Sequence, residues 1–216
     1  METIDLRTDL RHLYHPRSGR FELVDVPDLN YLTISGVIEP GKGPSDSPGF
    51  DARLGALYGL AYTLRFGMKK RATDPVEFPV MPLEGQWSLT GGDFDLARPD
   101  NWDYRLLIVV PDRIGPDDLA WALGQLRAKR GDVPEFTELR LERFAEGLCA
   151  QALHVGPYAT EPETMAALPA FLSERGLVDL VGPAGGRHHE IYLGDPRRAS
   201  ADKLRTIVRH PVSPVA

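Results

Sequence analysis

One order of elements appears twice in this chain, and that repetition limits the possible folds more than any single motif. In the first half, "RFELVDVPDLNYLTISGVIEP" (Arg20 to Pro40) reads as two strands around a Pro27-Asp28 turn, with β-branched alternation from Tyr31 to Ile38. A helix follows from about Phe50 to Phe66. Leu54, Leu57, Ala61 and Leu64 fall at helical spacing there, and Asp51 in the first turn suits the helix dipole. Two more strands come next, in "VEFPVMPLEGQWSL" and "DYRLLIVVPD". Pro79 and Pro82 make the first of these either an edge strand or one that starts late. A helix from Pro116 to Lys129, entered through "GPDD", leads onward.

The order then recurs. "TELRLERFAEGLCAQALHVGPY" gives two strands joined by a Gly turn, and "TEPETMAALPAFLSERG" gives a helix. That helix is expected to carry a capping box of Thr160 and Glu163, an apolar stripe of Met165, Leu168, Phe171 and Leu172, a kink at Pro169 and a stop at Gly176. "GPAGG" is a loop, and "HHEIYLG" and "LRTIVRHPV" close the half, with a short helical turn around Ser200 to Lys203. The expected fold is α+β: a tandem duplication of strand-helix-strand-strand units, with an antiparallel sheet and helices on one side. Each half-sheet is backed by its helix, its other face is free to meet its counterpart, and a concave ligand cleft can form at the pseudo-twofold seam. Residues 1–20 read as an N-terminal extension and 21–216 as one domain with repeats of about 21–112 and 113–216.

A net charge of −6 and the absence of any basic stripe argue against a nucleic-acid partner. "KKR" and "DPRR" are short and lie beside turn signals, so they read as solvated element ends. No apolar run approaches the ~20 residues that a membrane helix needs, so no membrane partner is expected. The single cysteine, Cys149, excludes an intrachain disulfide framework. With no leader-like N-terminus, the expected location is the cytoplasm.

"RHHEIYLGDPRR" (Arg187 to Arg198) contains the charge that most needs a role. As a strand it sends His189, Ile191 and Leu193 one way and His188, Glu190 and Tyr192 the other. Glu190 is then either a solvated strand-face acid or the acid of a concave site. The two histidines point to opposite faces and cannot share an ion, and no paired Cys or His spacing supports a metal or a cofactor. His154 and His189 read as structural. Trp102 and Tyr104 share a face that is either cleft or sheet-helix interface. Tyr58 and Tyr62 lie one helical turn apart beside the apolar stripe, where core packing and reach toward a ligand both remain open. Cys149 reads as a buried, inert thiol. Neither "GKGPS" nor "GPAGG" has the spacing of a phosphate or dinucleotide loop, and no nucleophile elbow is present.

Three words in the chain resemble the GyrI-like small-molecule-binding family: "PLEGQW" (Pro82 to Trp87), "LHVGPYATEPET" (Leu153 to Thr164) and "HHEIYLGDPRRASADKLRTIVRHPV" (His188 to Val212). The last looks like the family's stand-alone branch, whose members resemble hydrolases of strained cyclopropane rings in alkylating natural products. The residues before Phe21 are too few for a DNA-binding domain. The resemblance implies that Glu190 is the cleft acid and that Trp87 lines the cleft, with Trp102, Tyr104, Tyr192, Tyr58 and Tyr62 as further ligand-binding candidates. The family's "EGLWW" is "EGQWS" here, so Ser88 stands where a second aromatic is expected. A carboxylate held among rings can activate water or balance a cation. Two functions follow: a cofactor-independent ring-opening hydrolase used in detoxification, or a non-catalytic binder that sequesters or senses flat, cationic aromatics.

Overall fold

The computed structural model describes residues 1–89, 102–182, 185–196 and 198–215, so Pro183 and Ala184 of the "GPAGG" loop and Arg197 of "DPRR" lie outside the described residues. A short strand β1 (Glu2–Thr3) and two helical turns, α1 (Leu6–Asp9) and α2 (Arg11–Tyr14), precede β2 (Glu22–Val26) and β3 (Leu29–Val37). The helix α3 (Pro48–Lys69) starts where Ser47 accepts from the Phe50 backbone N–H and Pro48 occupies the first turn. After β4 (Val76–Glu77) come β5 (Leu83–Leu89), β6 (Trp102–Val110) and α4 (Pro116–Arg130). The Asp118 carboxylate accepts from the Gly115 N–H at 2.9 Å and so caps α4. The second half holds β7 (Arg140–Phe144), β8 (Gly147–Val155), α5 (Glu161–Met165), α6 (Leu168–Ser173), β9 (Leu177–Asp179), β10 (His188–Tyr192) and β11 (Arg205–Pro214).

The main sheet runs β2-β8-β11-β10-β5-β6-β3-β7, with β9 also paired to β11, and every neighbouring pair is antiparallel. This order reads the same from both ends once each strand is matched to its counterpart in the other half. Consecutive strands β2 and β3 do not pair with each other: β2 lies on β8, while β7 lies on β3. Each half therefore lends its first strand to the other half's edge. The half-sheets do not stack face to face. They join edge to edge through β5 and β10, which pair with Gly85 opposite Glu190 and Trp87 opposite His188. Thus β5 is a central strand, and Pro79 and Pro82 delay its start instead of making it an edge.

Both helical layers lie on one face. On that face α3 packs against β3 and β6, burying Leu57, Leu60 and Leu64, each contributing about 1.5–3 kcal/mol. Leu168 and Leu172 of α6 pack on Ala150, Ala152, Val208 and Val212 in a separate cluster. The expected single helix from Thr160 is two short ones. Pro169 has no N–H to continue the ladder and takes up a first-turn position in α6. Thr160 donates its hydroxyl to the Pro157 carbonyl and makes no capping bond, so the capping box does not form. The sheet's other face is closed by the N-terminal residues. Leu13 and Tyr14 are buried there, and β1 pairs with β4. Among the described residues no helix is long and apolar enough to cross a membrane.

Candidate functional site

The pairing register decides what the seam presents between α3 and α5. Side chains directly opposite across antiparallel strands share a face, so Trp87, Gly85 and Leu83 of β5 align with His188, Glu190 and Tyr192 of β10. The next strand adds Trp102 and Tyr104, opposite Leu89 and Trp87. Above this floor opens a cleft of about 2400 Å³, walled by Phe50, Leu54, Tyr58 and Tyr62 of α3 on one side and by Tyr158, Glu161 and Pro162 on the other.

Glu190 lies on that floor and is only 6% exposed. Its charge bears on the neighbouring Tyr192 hydroxyl, which accepts from the Trp87 indole N–H at 3.2 Å. Gly85 makes this possible, because a Cβ there would stand 2.9 Å from the indole nitrogen and 3.1 Å from the Tyr192 oxygen. On its other side Glu190 meets His188, whose Nε2 is 3.4 Å from Glu190 Oε1 and 2.8 Å from Glu161 Oε1. Two buried carboxylates therefore share one imidazole.

That sharing sets the protonation. Burial disfavours charge on His188, yet its bonds to Glu161 and Glu190 more than offset this and raise its pKa to about 9. Burial, with the Glu190 charge beside it, pushes Glu161 up, against the pull of His188. Burial and the Glu190 charge likewise push the Tyr158 hydroxyl up to about 12. At neutral pH His188 is therefore an imidazolium set between the Glu161 and Glu190 side chains inside an apolar, ring-lined cleft. Among the described residues, Glu161, His188 and Glu190 are also the group whose donor atoms lie close enough, within 4.8 Å, to share a cation.

The residues singled out from sequence fall in three places. Glu190, Trp87, Trp102, Tyr192, Tyr58 and Tyr62 all line the cleft. Tyr104 does not. It is 1% exposed and packs behind Phe50 and Trp87, with ring centroids 5.0 Å and 5.9 Å away. Its hydroxyl points toward Gly36 and Arg53, because the strand twist carries this register position under α3. Tyr58 and Tyr62 stack at 6.3 Å, and Tyr62 stacks on Phe66 at 6.2 Å, so the outer wall is an aromatic ladder that includes the surface-facing Tyr62. His189 points to the opposite face, where it meets Glu146 at 2.8 Å and Glu84 at 3.0 Å. His154 is bonded to Thr164 and the Pro157 carbonyl.

The pattern of the GyrI-like small molecule binding domain matches residues 130–212. An uncharacterized conserved protein from Listeria innocua has the same fold at a TM-score of 0.88 and 35% identity, covering 97% of this chain and 100% of that one. This chain belongs to the GyrI-like family. Two structures of hydrolases from Listeria innocua resemble this GyrI-like protein at TM-scores of 0.82 and 0.83 and identities of 32% and 33%. They cover 97% and 98% of it and 100% of their own chains. Among curated proteins no match is found.

Two members of this GyrI-like cleft escaped the sequence reading. Glu161 opens a helix, where an acid reads as a dipole partner. The signal that could have distinguished it is Pro162 behind it and the tight "HVGPY" entry, which turn α5 toward the seam. Alternation places His188 on the face of Glu190 but gives it no task there. Only the approach of Glu161 from another element gives it a role.

Proposed function

We propose that this GyrI-like protein hydrolyses strained, electrophilic rings of flat aromatic compounds in the seam cleft, with Glu190 as the base, and so detoxifies alkylating agents. The observation that carries this reading is a buried carboxylate paired with His188, beside Tyr192, on a floor of aromatic rings. The hydrolase relatives at 32% and 33% identity support it. Trp87 and Trp102 flank a planar ligand through stacking and hold it against Glu190.

The step balances without a cofactor. Glu190 takes a proton from water as the water oxygen bonds to the strained methylene carbon. The ring C–C bond breaks, its electron pair flows into the conjugated carbonyl, and the resulting phenolate takes up a proton. A well-placed base supplies about 10²–10⁴-fold, and exclusion of bulk water strengthens its interactions.

The two acids on the cleft side of His188 favour a second reading, in which Glu190 and Glu161 balance a cationic aromatic ligand without chemistry. One assay separates the two. Wild type and Glu190→Gln are incubated with a spirocyclopropyl cyclohexadienone, product is followed by mass, and ethidium binding is read by fluorescence. The hydrolase reading expects wild type to add water to the ring and Glu190→Gln to lose at least about 100-fold in turnover while still binding the dienone. If wild type leaves the dienone intact while ethidium affinity falls with the charge, the protein is a binder. If neither readout responds to Glu190→Gln, the site has been misplaced.

A further inference from the structure

His188 has a second ring nitrogen, and the path from it leads out of the cleft. His188 Nδ1 lies 2.7 Å from His210 Nε2, the two rings standing nearly perpendicular at 89°. His210 Nδ1 lies 2.7 Å from Asp179 Oδ2. Asp179 is anchored in turn: its Oδ1 accepts from the Val181 N–H at 2.9 Å, and β9 is paired with β11 through Val212. The His188 and His210 side chains are 0% and 8% exposed, whereas that of Asp179 is 35% exposed. An unbroken line of polar contacts thus joins the cleft carboxylates to the surface through a sheet that is otherwise packed with Val208, Val212 and Ala150.

We propose that Asp179 and His210 are positioning residues for the cleft acids, holding His188 with Nδ1–H toward His210 and Nε2–H toward Glu161 and Glu190, and that this chain carries a proton between the cleft and the surface at Asp179. The inference rests on Glu190 being the working acid. Each outward link is a single hydrogen bond. His188, protonated on both nitrogens, passes its Nδ1 proton to His210 Nε2, and the Nδ1 proton of His210 passes to Asp179 Oδ2, which releases it to water. His188 is left neutral with its Nε2 proton toward Glu161 and Glu190, so one proton leaves the cleft and no ring carries more than one positive charge at any point.

The electrostatics agree with this arrangement. Burial and the facing His188 cation keep His210 neutral, its pKa lowered despite Asp179. The bond from His210 outweighs the burial of Asp179 and keeps it ionised, its pKa also lowered. The ionisable groups that bear on His188 are Glu161 from α5, Glu190 from its own strand, His210 from β11 and, beyond that ring, Asp179 from β9. Glu146 acts on His210 from the far face, and His154 acts on Glu161. Opposite His188, β5 presents Trp87, which does not titrate.

The test begins with wild type and needs no substrate. Long-range ¹H–¹⁵N spectra of the histidine rings at pH 7 are expected to show His188 protonated on both nitrogens and His210 protonated on Nδ1 alone. A His210 ring protonated on Nε2 overturns the proposal. In Asp179→Asn, with unchanged circular dichroism, the His188 titration midpoint is expected to drop by about one unit, and Asp179→Glu to restore it. An unmoved midpoint in folded Asp179→Asn also overturns it. Ethidium affinity gives a functional readout: loss of the His188 charge makes the cleft more negative, so affinity rises as pH passes His188's midpoint, and this rise comes at lower pH in Asp179→Asn. Because the ring spectra do not depend on turnover, an intact dienone with the expected spectra rejects the hydrolase reading and leaves the relay standing.

Discussion

At the residue scale, neighbours one position apart on β10 have opposite fates. Alternation in "HHEIY" placed His188 and Glu190 together and His189 away from them, and the structure keeps that division. Hidden from the sequence was what faces each ring, since Glu161 and Glu146 come from elements far along the chain. On the far face the Glu146 side chain is buried, and His189 and Arg209 overcome that burial to hold its pKa down to about 2. Its unfolded value is about 4.3, so it contributes stability above that pH and loses it as pH falls toward 2. His188 acts in the opposite sense. Its pKa of about 9 lies above the unfolded ~6.5, so its contribution is full below ~6.5 and disappears as pH rises through 9. Replacing Glu146 by Gln leaves His189 and Arg209 buried without their anion, and urea denaturation at pH 7 should show a loss of about 3–5 kcal/mol. The acid limb of the stability curve should flatten in the same variant. A neutral Glu146→Gln would mean that the far-face network adds nothing to stability.

At the element scale, the helices α3 and α4 and the strands of the main sheet were legible from periodicity and turn residues, because those signals are local, while the short β1 and β9 were not. The strand pairing was not. Two strands flanking Pro27-Asp28 look like a hairpin, yet β2 and β3 pair with different partners, and nothing within the two segments records that choice. The centrality of β5 was hidden by its prolines, which stop just before Leu83. One local feature of β5 does carry the site. Gly85 sits opposite Glu190 without a side chain, and the Trp87-Tyr192 hydrogen bond closes across it. A methyl group at this position must displace the indole or the phenol. Gly85→Ala should therefore cost about 1–3 kcal/mol of stability, as overpacking does. It should also shift tryptophan emission and weaken ethidium binding several-fold, even though no charge has changed. Wild-type affinity in Gly85→Ala would show that the Trp87-Tyr192 contact does not shape the cleft.

At the scale of the whole molecule, the duplication that was visible as a repeated order of elements becomes a mechanical constraint. Because β2 completes the edge of the second half and β7 that of the first, neither half can unfold without stripping a strand from the other. The seam adds a further bond between them, since β5 and β10 are hydrogen-bonded along five residue pairs with the cleft above them. The N-terminal residues tie both halves from beneath: Tyr14 donates to Glu84 at 2.6 Å, while Arg209 and Gln151 donate to the Leu13 and His12 carbonyls at 3.0 and 2.8 Å. The chain should then unfold as one cooperative unit despite its two repeats. In a Trp121→Phe background, emission from Trp87 and Trp102 reports the first half, and hydrogen exchange of β8 and β11 followed by mass spectrometry reports the second. Both should give the same urea midpoint, with the slowest exchange at β5, β6, β10 and β11. Two separated midpoints would mean that the exchanged edge strands detach before the cores melt. The cleft would then lie between two semi-independent bodies instead of on one continuous sheet, and Glu161 would be free to leave His188 without global unfolding.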